Sequence, residues 1–214
     1  MPVSPAQLVD AVKRALEVSR RTKFDQSVEL IVALKDFDPK SSEGRFRETV
    51  FLPHKPPKEP TICVVAAGDL LLEAKKLGVN VISREDLQAL RGDKKKVKSL
   101  GSQCDWVLVS PDLMGQVGSV LGPALGPRGK VPVAIPPRGN LSEIVENYKR
   151  ATWVRVRGQP QIMARVGTAS MNVNDIAENA AAVLNVIESK LGSDKINTVY
   201  VKTTMGVPVR VSLR

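Results

Sequence analysis

Four prolines within eight residues divide this chain at the end of its first quarter. Residues 53–60 read Pro-His-Lys-Pro-Pro-Lys-Glu-Pro. Proline has no backbone N–H and a restricted φ, so such a segment cannot lie inside a helix or a central strand. We interpret these residues as a stiff linker that marks a domain boundary.

The residues before the linker predict one helix followed by two strands. Ser4, Pro5 and Gln7 form a favourable helix start with a capping box, and apolar residues at helical spacing extend the helix to about Arg21. Alternating apolar residues at 28–34 predict a strand, and the Thr- and Val-rich residues 47–52 predict another.

Short apolar runs alternate with helical patterns after the linker. Strands are predicted at 61–66, 79–82, 106–109 and 131–135, and helices at 69–77, 83–90, 93–100, 111–121 and 142–150. Strands that alternate with helices indicate a parallel or mostly parallel sheet covered on both faces.

The last third returns to another pattern. A β-hairpin is predicted around residues 158–160, then a helix that Asn174 caps and Gly192 closes, and finally strands at 197–202 and 207–213. Each outer piece is too small for a core of its own, at roughly 60 residues. We therefore predict a mixed α/β chain in which residues 1–60 and 152–214 form one discontinuous α+β domain. Residues 61–151 are inserted into it as a second domain, and the two connections could act as a hinge.

The charge balance favours a polyanionic partner. The 32 Lys and Arg residues outnumber the 22 Asp and Glu residues, so the formal net charge is +10 and the pI is about 9.8. A domain this basic is typical of nucleic-acid binding, although a merely solvated basic surface would look the same. A membrane partner would require a basic amphipathic helix with bulky apolar anchors, a lipidation site or a span of about 20 apolar residues, and we find none of these. We expect a cytoplasmic protein.

Few residues in the chain suggest chemistry. His54 is the only histidine, and Cys63 and Cys104 lie far apart without a CxxC pattern. We therefore expect two buried free thiols in a reducing compartment, no metal site, no cofactor and no catalytic residue.

The segment from 122 to 130, Gly-Pro-Ala-Leu-Gly-Pro-Arg-Gly-Lys, resembles a phosphate-binding loop only superficially. Ala124 stands where the first glycine of that motif belongs, and Val131 stands where Ser or Thr should bind magnesium. We reject nucleotide hydrolysis on these grounds. Exposed backbone beside Arg128, Gly129 and Lys130 could still contact phosphates or a partner surface, and a plain surface turn remains the alternative.

Two turns combine residues suited to close contact with a ligand. Lys-Phe-Asp-Gln-Ser at 23–27 joins the first helix to the first strand, and Thr-Thr-Met-Gly at 203–206 joins the last two strands. Small residues beside glycine let backbone approach a ligand, and Met offers an adaptable apolar contact. Each turn alone is also compatible with an ordinary connection.

Read in order, five motifs resemble the L-one family of large ribosomal subunit proteins, especially its archaeal type. The motifs are the segment at 23–27, Leu-Pro-His at 52–54, Asp-Leu-Met at 112–114, Leu-Gly-Pro-Arg-Gly-Lys at 125–130 and Thr-Met-Gly at 204–206. The resemblance covers nearly the whole chain. It implies that the inserted domain is a Rossmann-like three-layer α/β/α domain.

The resemblance also implies a function and a binding surface. Members of the family bind large-subunit ribosomal RNA at a mobile stalk beside the exit site for transfer RNA, and some repress translation of their own messenger RNA. The partners expected for this chain are therefore the ribosomal RNA, exit-site transfer RNA, its own messenger RNA and the rest of the large subunit. The RNA-contacting residues implied by the match are Lys23, Phe24, Ser27, Glu29, Arg165, Thr198, Thr204, Met205 and Gly206.

This chain departs from the family pattern at two places. Val207 intervenes between the Thr-Met-Gly glycine and Pro208, where the family has proline directly, and Lys55-Pro56-Pro57 replaces a glycine-rich stretch. Two other functions compete with the ribosomal one. An RNA-processing or chaperone protein could share the fold, whereas a nucleotide-binding enzyme would need a G-x-G-x-x-G motif after a strand, which the middle domain lacks.

Overall fold

The structure is a computed structural model that describes residues 3–41, 44, 46–137, 139–156 and 158–212. These residues form two separate β-sheets. Residues 1–58 and 150–214 form one unit, here called the split unit, and residues 59–149 form the inserted unit. The elements, in chain order, are α1 (Pro5–Glu17), β1 (Ser27–Leu34), β2 (Arg47–Phe51), β3 (Ile62–Val65), α2 (Asp69–Lys76), β4 (Asn80–Ile82), α3 (Arg84–Ala89), α4 (Lys94–Gln103), β5 (Trp106–Val109), α5 (Met114–Leu125), β6 (Val133–Ala134), α6 (Leu141–Lys149), β7 (Ala151–Val156), β8 (Gln161–Thr168), α7 (Val173–Leu191), β9 (Ile196–Thr203) and β10 (Val209–Val211).

The split unit contains an antiparallel sheet with the strand order β10-β9-β1-β8-β7-β2. Alternate residues of β1 are buried, beginning with Val28, because the sheet packs against α1 and α7 on one face only. The other face carries the half-exposed residues of β1, from Ser27 and Glu29 onward. Strands from both ends of the chain are neighbours here, which confirms the predicted discontinuous α+β architecture.

The inserted unit contains a parallel sheet with the strand order β4-β3-β5-β6. All residues of β3 and β5 are buried because helices cover both faces. Trp106 of β5 meets Tyr148 of α6 edge to face at 5.0 Å on one side. Val107 and Cys63 face the cluster built from α3, α4 and α5 on the other side. The expected parallel sheet, covered on both faces, is thereby confirmed.

The two cysteines are joined in a disulfide, so the expectation of free thiols is wrong. Their Cα atoms are 5.6 Å apart, and both residues are buried. The parallel register places Cys63 of β3 opposite Val107 of β5, and Cys104 lies just before the start of β5. The pairing of two strands therefore brings together thiols that are 41 residues apart in sequence.

The chain from 122 to 128 is helical, which corrects the expectation of exposed loop backbone there. Helix α5 continues through Pro123 to Leu125, and a short 3-10 turn covers residues 126–128. A second correction concerns the start of α7, where Asn172, rather than Asn174, is the capping residue. The side chain of Asn172 accepts a hydrogen bond from the backbone N–H of Asn174. No helix among the described residues is long and apolar enough to cross a membrane.

A buried asparagine holds the start of the proline-rich segment against α7. The Asn179 side chain is fully buried, accepts from the backbone N–H of His54 at 2.9 Å, and donates to the carbonyls of His54 and Val166 at 2.9 and 2.8 Å. The His54 ring contacts the same helix, with Nε2 2.6 Å from the Glu178 carboxylate. One side chain thus satisfies three backbone groups from two other segments.

Replacing Asn179 with leucine should lower the free energy of unfolding of the split unit by about 3 kcal/mol, because three backbone groups lose their partner. Urea unfolding followed by circular dichroism measures this difference. The matched control is Asn174→Leu, an exposed position on the same helix, which should change the free energy by less than about 0.5 kcal/mol. Equal effects of the two substitutions would contradict the role given to Asn179.

Candidate nucleic-acid interface

The two turns singled out in the sequence lie side by side in the split unit. Because β1 and β9 are antiparallel neighbours with Val28 opposite Thr203, the loop before β1 meets the turn after β9. The backbone N–H of Thr204 donates to the carbonyl of Ser27 at 3.0 Å. In return, the backbone N–H of Ser27 donates to the Thr204 hydroxyl at 3.1 Å. The turns are therefore coupled directly.

The buried side chain of Gln26 also connects the same two turns. The Gln26 side-chain nitrogen donates to the carbonyl of Arg20 at 2.6 Å and to the hydroxyl of Ser19 at 3.0 Å. Its side-chain oxygen accepts from the backbone N–H of Met205 at 2.9 Å. The Ser19 hydroxyl also lies 2.8 Å from that of the fully buried Thr203. This network fixes both turns before any ligand arrives.

The buried hydrogen-bond network of Gln26, Ser19 and Thr203 was not predicted, although Gln26 and Thr203 lie within the two turns singled out in the sequence. For Gln26 and Thr203, the alternation of inward-facing and outward-facing residues along β1 and β9 did indicate a buried position. Gln26 continues the inward phase of Val28, and Thr203 continues the inward phase of Val201, so each places a polar group at a buried position. Buried polar groups need hydrogen-bond partners, and a polar residue in the inward phase of a strand therefore indicates a network.

Gly206 is required by the close approach of its turn to β9. Its backbone N–H donates to the carbonyl of Thr203 at 3.1 Å. A Cβ at this position would lie 2.3 Å from the Thr203 hydroxyl oxygen, far inside van der Waals contact. Any other residue would therefore displace the turn that presents Met205.

Large apolar side chains project into solvent from the coupled turns. The exposed fractions are 55% for Phe24, 59% for Met205 and 61% for Val207. Lys23 is also exposed. We call the side chains of residues 22–24 and 204–207 the two-turn surface. It combines an aromatic ring, a thioether and a cation on turns that are hydrogen-bonded to each other.

A row of charged residues extends from this surface across three strands. Glu29 of β1 stands opposite Arg165 of β8 on one side and Lys202 of β9 on the other. The Lys202 ammonium lies 3.9 Å from the Glu29 carboxylate and donates to the carbonyl of Thr204 at 3.1 Å. Glu29 and Arg165, predicted from the resemblance, thus lie next to the turns, and Lys202 is a neighbour that the prediction missed.

Asp25 anchors the loop before β1 to the end of β8. Its carboxylate accepts from the backbone N–H of Ser170 at 3.1 Å and from the Ser170 hydroxyl at 2.7 Å. Partial burial alone would raise the pKa of Asp25, but hydrogen bonds from Ser170 and Thr168, with the Arg165 guanidinium nearby, lower this pKa below its ordinary value. The carboxylate therefore stays ionised at neutral pH and holds the loop in place.

Thr198 is the predicted residue that lies apart from the others. It stands opposite Ala33 near the far end of β1. Six residues of extended chain separate it from Thr204, which corresponds to about 20 Å. Thr198 shares the open face of the sheet with Glu29 but does not belong to the two-turn surface.

The second predicted site, at Arg128, Gly129 and Lys130, lies in the inserted unit. The side chains of Arg128 and Lys130 form hydrogen bonds within that unit. The Lys130 ammonium donates to the carbonyls of Cys104, Gly101 and Ser102 at 2.6, 3.2 and 3.3 Å. These carbonyls end α4, where a cation is favoured by the helix dipole. The Lys130 side chain is only 19% exposed.

Arg128 and Gly129 complete the same arrangement. The Arg128 guanidinium donates to the carbonyl of Ala124 at 2.9 Å and to the hydroxyl of Ser102 at 2.8 Å. Gly129 has a φ of 64° and ends the 3-10 turn. A contact with phosphates or a partner would thus depend on Arg128 and the backbone rather than on Lys130.

Among the residues that the structure describes, no group of three or more His, Cys, Asp or Glu side chains could hold a metal ion. The chemical groups assembled at the two turns are hydroxyls, backbone amides, apolar side chains and cations. Such groups recognise a ligand by shape, stacking and charge. They suit binding.

Comparison with known proteins gives a consistent result. The model of the ribosomal protein L1p/L10e family matches residues 13–207. Large ribosomal subunit protein uL1 of Aeropyrum pernix is 56% identical over 206 residues, covering 96% of this chain and 95% of its own. The protein of the same name from Hyperthermus butylicus is 50% identical over 217 residues, covering 100% of this chain and 100% of its own. That of Staphylothermus marinus is 47% identical over 215 residues, covering 99% of this chain and 99% of its own. The similarity therefore spans both units.

Proposed function

Since this chain belongs to the ribosomal protein L1p/L10e family, we propose that its split unit holds large-subunit ribosomal RNA at the two-turn surface. As a member of this family, the chain is a structural protein of the large subunit of the cytoplasmic ribosome. It serves translation and is not an enzyme. Lys23, Phe24, Thr204, Met205 and Gly206 contact the RNA directly in this proposal.

The observation that carries this proposal is the buried network around Gln26. A turn that is ordered before binding loses less conformational entropy when RNA arrives. Unstacked RNA bases pack on aromatic rings, which suits the exposed ring of Phe24. A phosphate would be attracted to the exposed ammonium of Lys23. The network thus fixes the backbone of the turns that carry these groups.

The charged row extends the proposed contact along the open face of the sheet. Arg165 and Lys202 flank Glu29, so the carboxylate can accept hydrogen bonds from ribose hydroxyls while the two cations face phosphates. The Ser27 backbone is engaged with Thr204, which leaves its side-chain hydroxyl as the group offered to RNA. We place Thr198 at the far end of the same contact.

The Thr204 hydroxyl is assigned a positioning role as well as a contact. It accepts from the Ser27 N–H at 3.1 Å and lies 3.3 Å from the Ser27 carbonyl. Removing this hydroxyl would therefore disturb the joint between the turns in addition to any bond it makes with RNA. Met205, whose side chain contributes exposed apolar area without such a bond, is the cleaner probe of contact.

The test is a salt titration of binding to large-subunit ribosomal RNA with two variants of the full chain. Met205→Ala should weaken binding about tenfold, because apolar burial worth about 1–2 kcal/mol is lost. The slope of log affinity against log salt should not change, since no charge is removed. Lys23→Gln should flatten that slope by up to about one unit, the contribution of one phosphate contact.

A control in the inserted unit distinguishes a site from general basicity. Lys75→Gln removes an exposed cation of α2 and should leave both affinity and slope nearly unchanged. If Met205→Ala binds like the parent protein while cations of the inserted unit prove essential, the proposed surface is misplaced.

The finer parts of the proposed function derive from the family resemblance. We propose that the bound RNA is the mobile stalk near the exit site, and that the protein assists release of deacylated transfer RNA there. We further propose that the same surface binds a mimic of the ribosomal site in its own messenger RNA and represses its translation. Competition between the ribosomal RNA and that messenger RNA for one surface is the test. Simultaneous binding of both would refute the shared site.

A further inference from the structure

An apolar groove lies on the inserted unit, on the side of the sheet covered by α3, α4 and α5. Its volume is about 610 Å³, within the range of pockets that bury a small ligand or several side chains. Helices α4 and α5 pack closely beside it, since a Cβ on Gly101 would come within 3.1 Å of the Ala124 Cβ. The apolar lining consists of Leu90, Val97, Val120, Pro123, Ala124 and Pro127.

The rim of the groove is positively charged. Arg91, Lys94, Lys98 and Arg128 all line it, and Asp93 is the acidic residue beside them. The Asp93 carboxylate caps α4 by accepting from the backbone N–H groups of residues 95 and 96, and it pairs with the Lys96 ammonium at 3.4 Å. That negative charge is therefore already compensated within α4, and the rim favours an anionic partner.

The chemistry of the floor separates a peptide from a nucleic acid. RNA bases are typically held by aromatic stacking platforms, and none of the described residues lining this groove is aromatic. Aliphatic side chains and prolines are instead the surface that receives an amphipathic helix, whose apolar residues recur at i, i+3, i+4 and i+7. A partner that fits both floor and rim carries Leu, Ile or Val on one face and Asp or Glu beside it.

We propose that this groove docks a short, acidic, amphipathic helix of a partner protein. The apolar face of the partner helix lies on Val97 and Val120, and its flanking carboxylates meet Lys94, Lys98 and Arg91. Arg128 is held by hydrogen bonds to Ala124 and Ser102 and forms a fixed end of the rim. The groove is built from residues of the inserted unit, whereas the two-turn surface is built from residues of the split unit. Docking at the groove gives the inserted unit a protein-binding role.

The experiment is a selection from displayed random peptides of about 16 residues, long enough to form a helix when bound, against the full chain. Enriched sequences should combine acidic residues with aliphatic residues at helical spacing. One such peptide, synthesised with a fluorescent label, is then titrated with the protein and its variants by fluorescence anisotropy.

Two variants test the floor and the rim separately. Val120→Glu places a charge on the floor and should weaken peptide binding by at least about a hundredfold. Lys94→Glu combined with Lys98→Glu should weaken it by at least about tenfold. The matched control, Lys75→Glu with Lys76→Glu, makes the same charge change at exposed positions of α2 and should leave binding nearly unchanged.

Thermal unfolding of each variant checks that it folds, and the rim variant decides the matter should Val120→Glu fail to fold. The proposal is overturned if no acidic aliphatic sequence is enriched, or if the rim and α2 variants lose the same affinity. It is also overturned if a single-stranded RNA oligonucleotide displaces the peptide and loses binding with Val120→Glu. Sedimentation that shows a dimer of this chain, dissociated by Val120→Glu, would assign the groove to a second copy instead.

Discussion

Gly206→Ala should weaken binding to large-subunit ribosomal RNA by at least about a hundredfold, because displaced contacts and unpaired groups together cost roughly 3 kcal/mol or more. The new Cβ would lie 2.3 Å from the Thr203 hydroxyl oxygen. That oxygen cannot withdraw easily, since Thr203 is fully buried and bonded to the Ser19 hydroxyl at 2.8 Å. The turn must shift, and Met205 shifts with it.

The glycine substitution has a matched control in the inserted unit. Gly118 lies within α5, and a Cβ there would meet nothing within 4 Å. Gly118→Ala should therefore leave RNA affinity unchanged and stabilise the protein by about 0.5–1 kcal/mol. Equilibrium binding of both variants to the same RNA, with circular dichroism to confirm folding, gives the comparison.

A double-mutant cycle identifies the clash as the cause. Thr203→Ala removes the hydroxyl that the new Cβ would meet, so Gly206→Ala should cost much less affinity in that background than alone. Additive effects would show that the clash with Thr203 is irrelevant. A Gly206→Ala protein that binds RNA within about twofold of the parent would place the RNA contact elsewhere.

The architecture was predictable because local patterns determine it. The alternation at 28–34 and the capping box of Ser4 and Gln7 depend on neighbouring residues, and both are present in the structure. The proline-rich segment and the change of pattern after it similarly predicted a parallel or mostly parallel sheet inserted into a discontinuous α+β domain. These features require no knowledge of which distant segments meet.

The contacts of the two-turn surface were only partly predictable, because they depend on strand pairing. The Met205 N–H reaches Gln26 across 179 residues of chain, and no local pattern specifies that bond. The sequence similarly suggested Lys130 for a contact with phosphates or a partner, but gave no sign that its ammonium donates to carbonyls at the end of α4, such as that of Cys104. Exposed character can be read from composition, but the partner of a polar side chain cannot.

The disulfide is the largest error of prediction, and its physical cause is general. Two distant cysteines without a CxxC pattern suggested free thiols in a reducing compartment, where disulfides are rare, although intracellular proteins of hyperthermophilic archaea are an exception. The parallel pairing of β3 with β5 determines that Cys63 and Cys104 meet. Spacing of 41 residues carries no such information.

Reducing the Cys63–Cys104 disulfide should destabilise the inserted unit by about 4 kcal/mol, the loop-closure entropy expected for a cross-link across some 41 residues. The chain has two tryptophans, Trp106 in the inserted unit and Trp153 in the split unit. In a Trp153→Phe background, fluorescence excited at a wavelength that tyrosine does not absorb therefore reports the unfolding of the inserted unit alone. Urea unfolding is compared between the oxidised protein and protein that was reduced in urea and refolded with reductant.

The double variant Cys63→Ala with Cys104→Ala is the control for the reductant itself, which should not alter its unfolding curve. Iodoacetamide added to the unreduced, unfolded protein should label neither cysteine, and mass spectrometry counts the labels. Two labels per chain, or identical urea midpoints with and without reductant, would contradict the disulfide. RNA affinity at temperatures where both forms remain folded should be unaffected by reduction, because the bond lies in the inserted unit, whereas the two-turn surface is built from residues of the split unit alone.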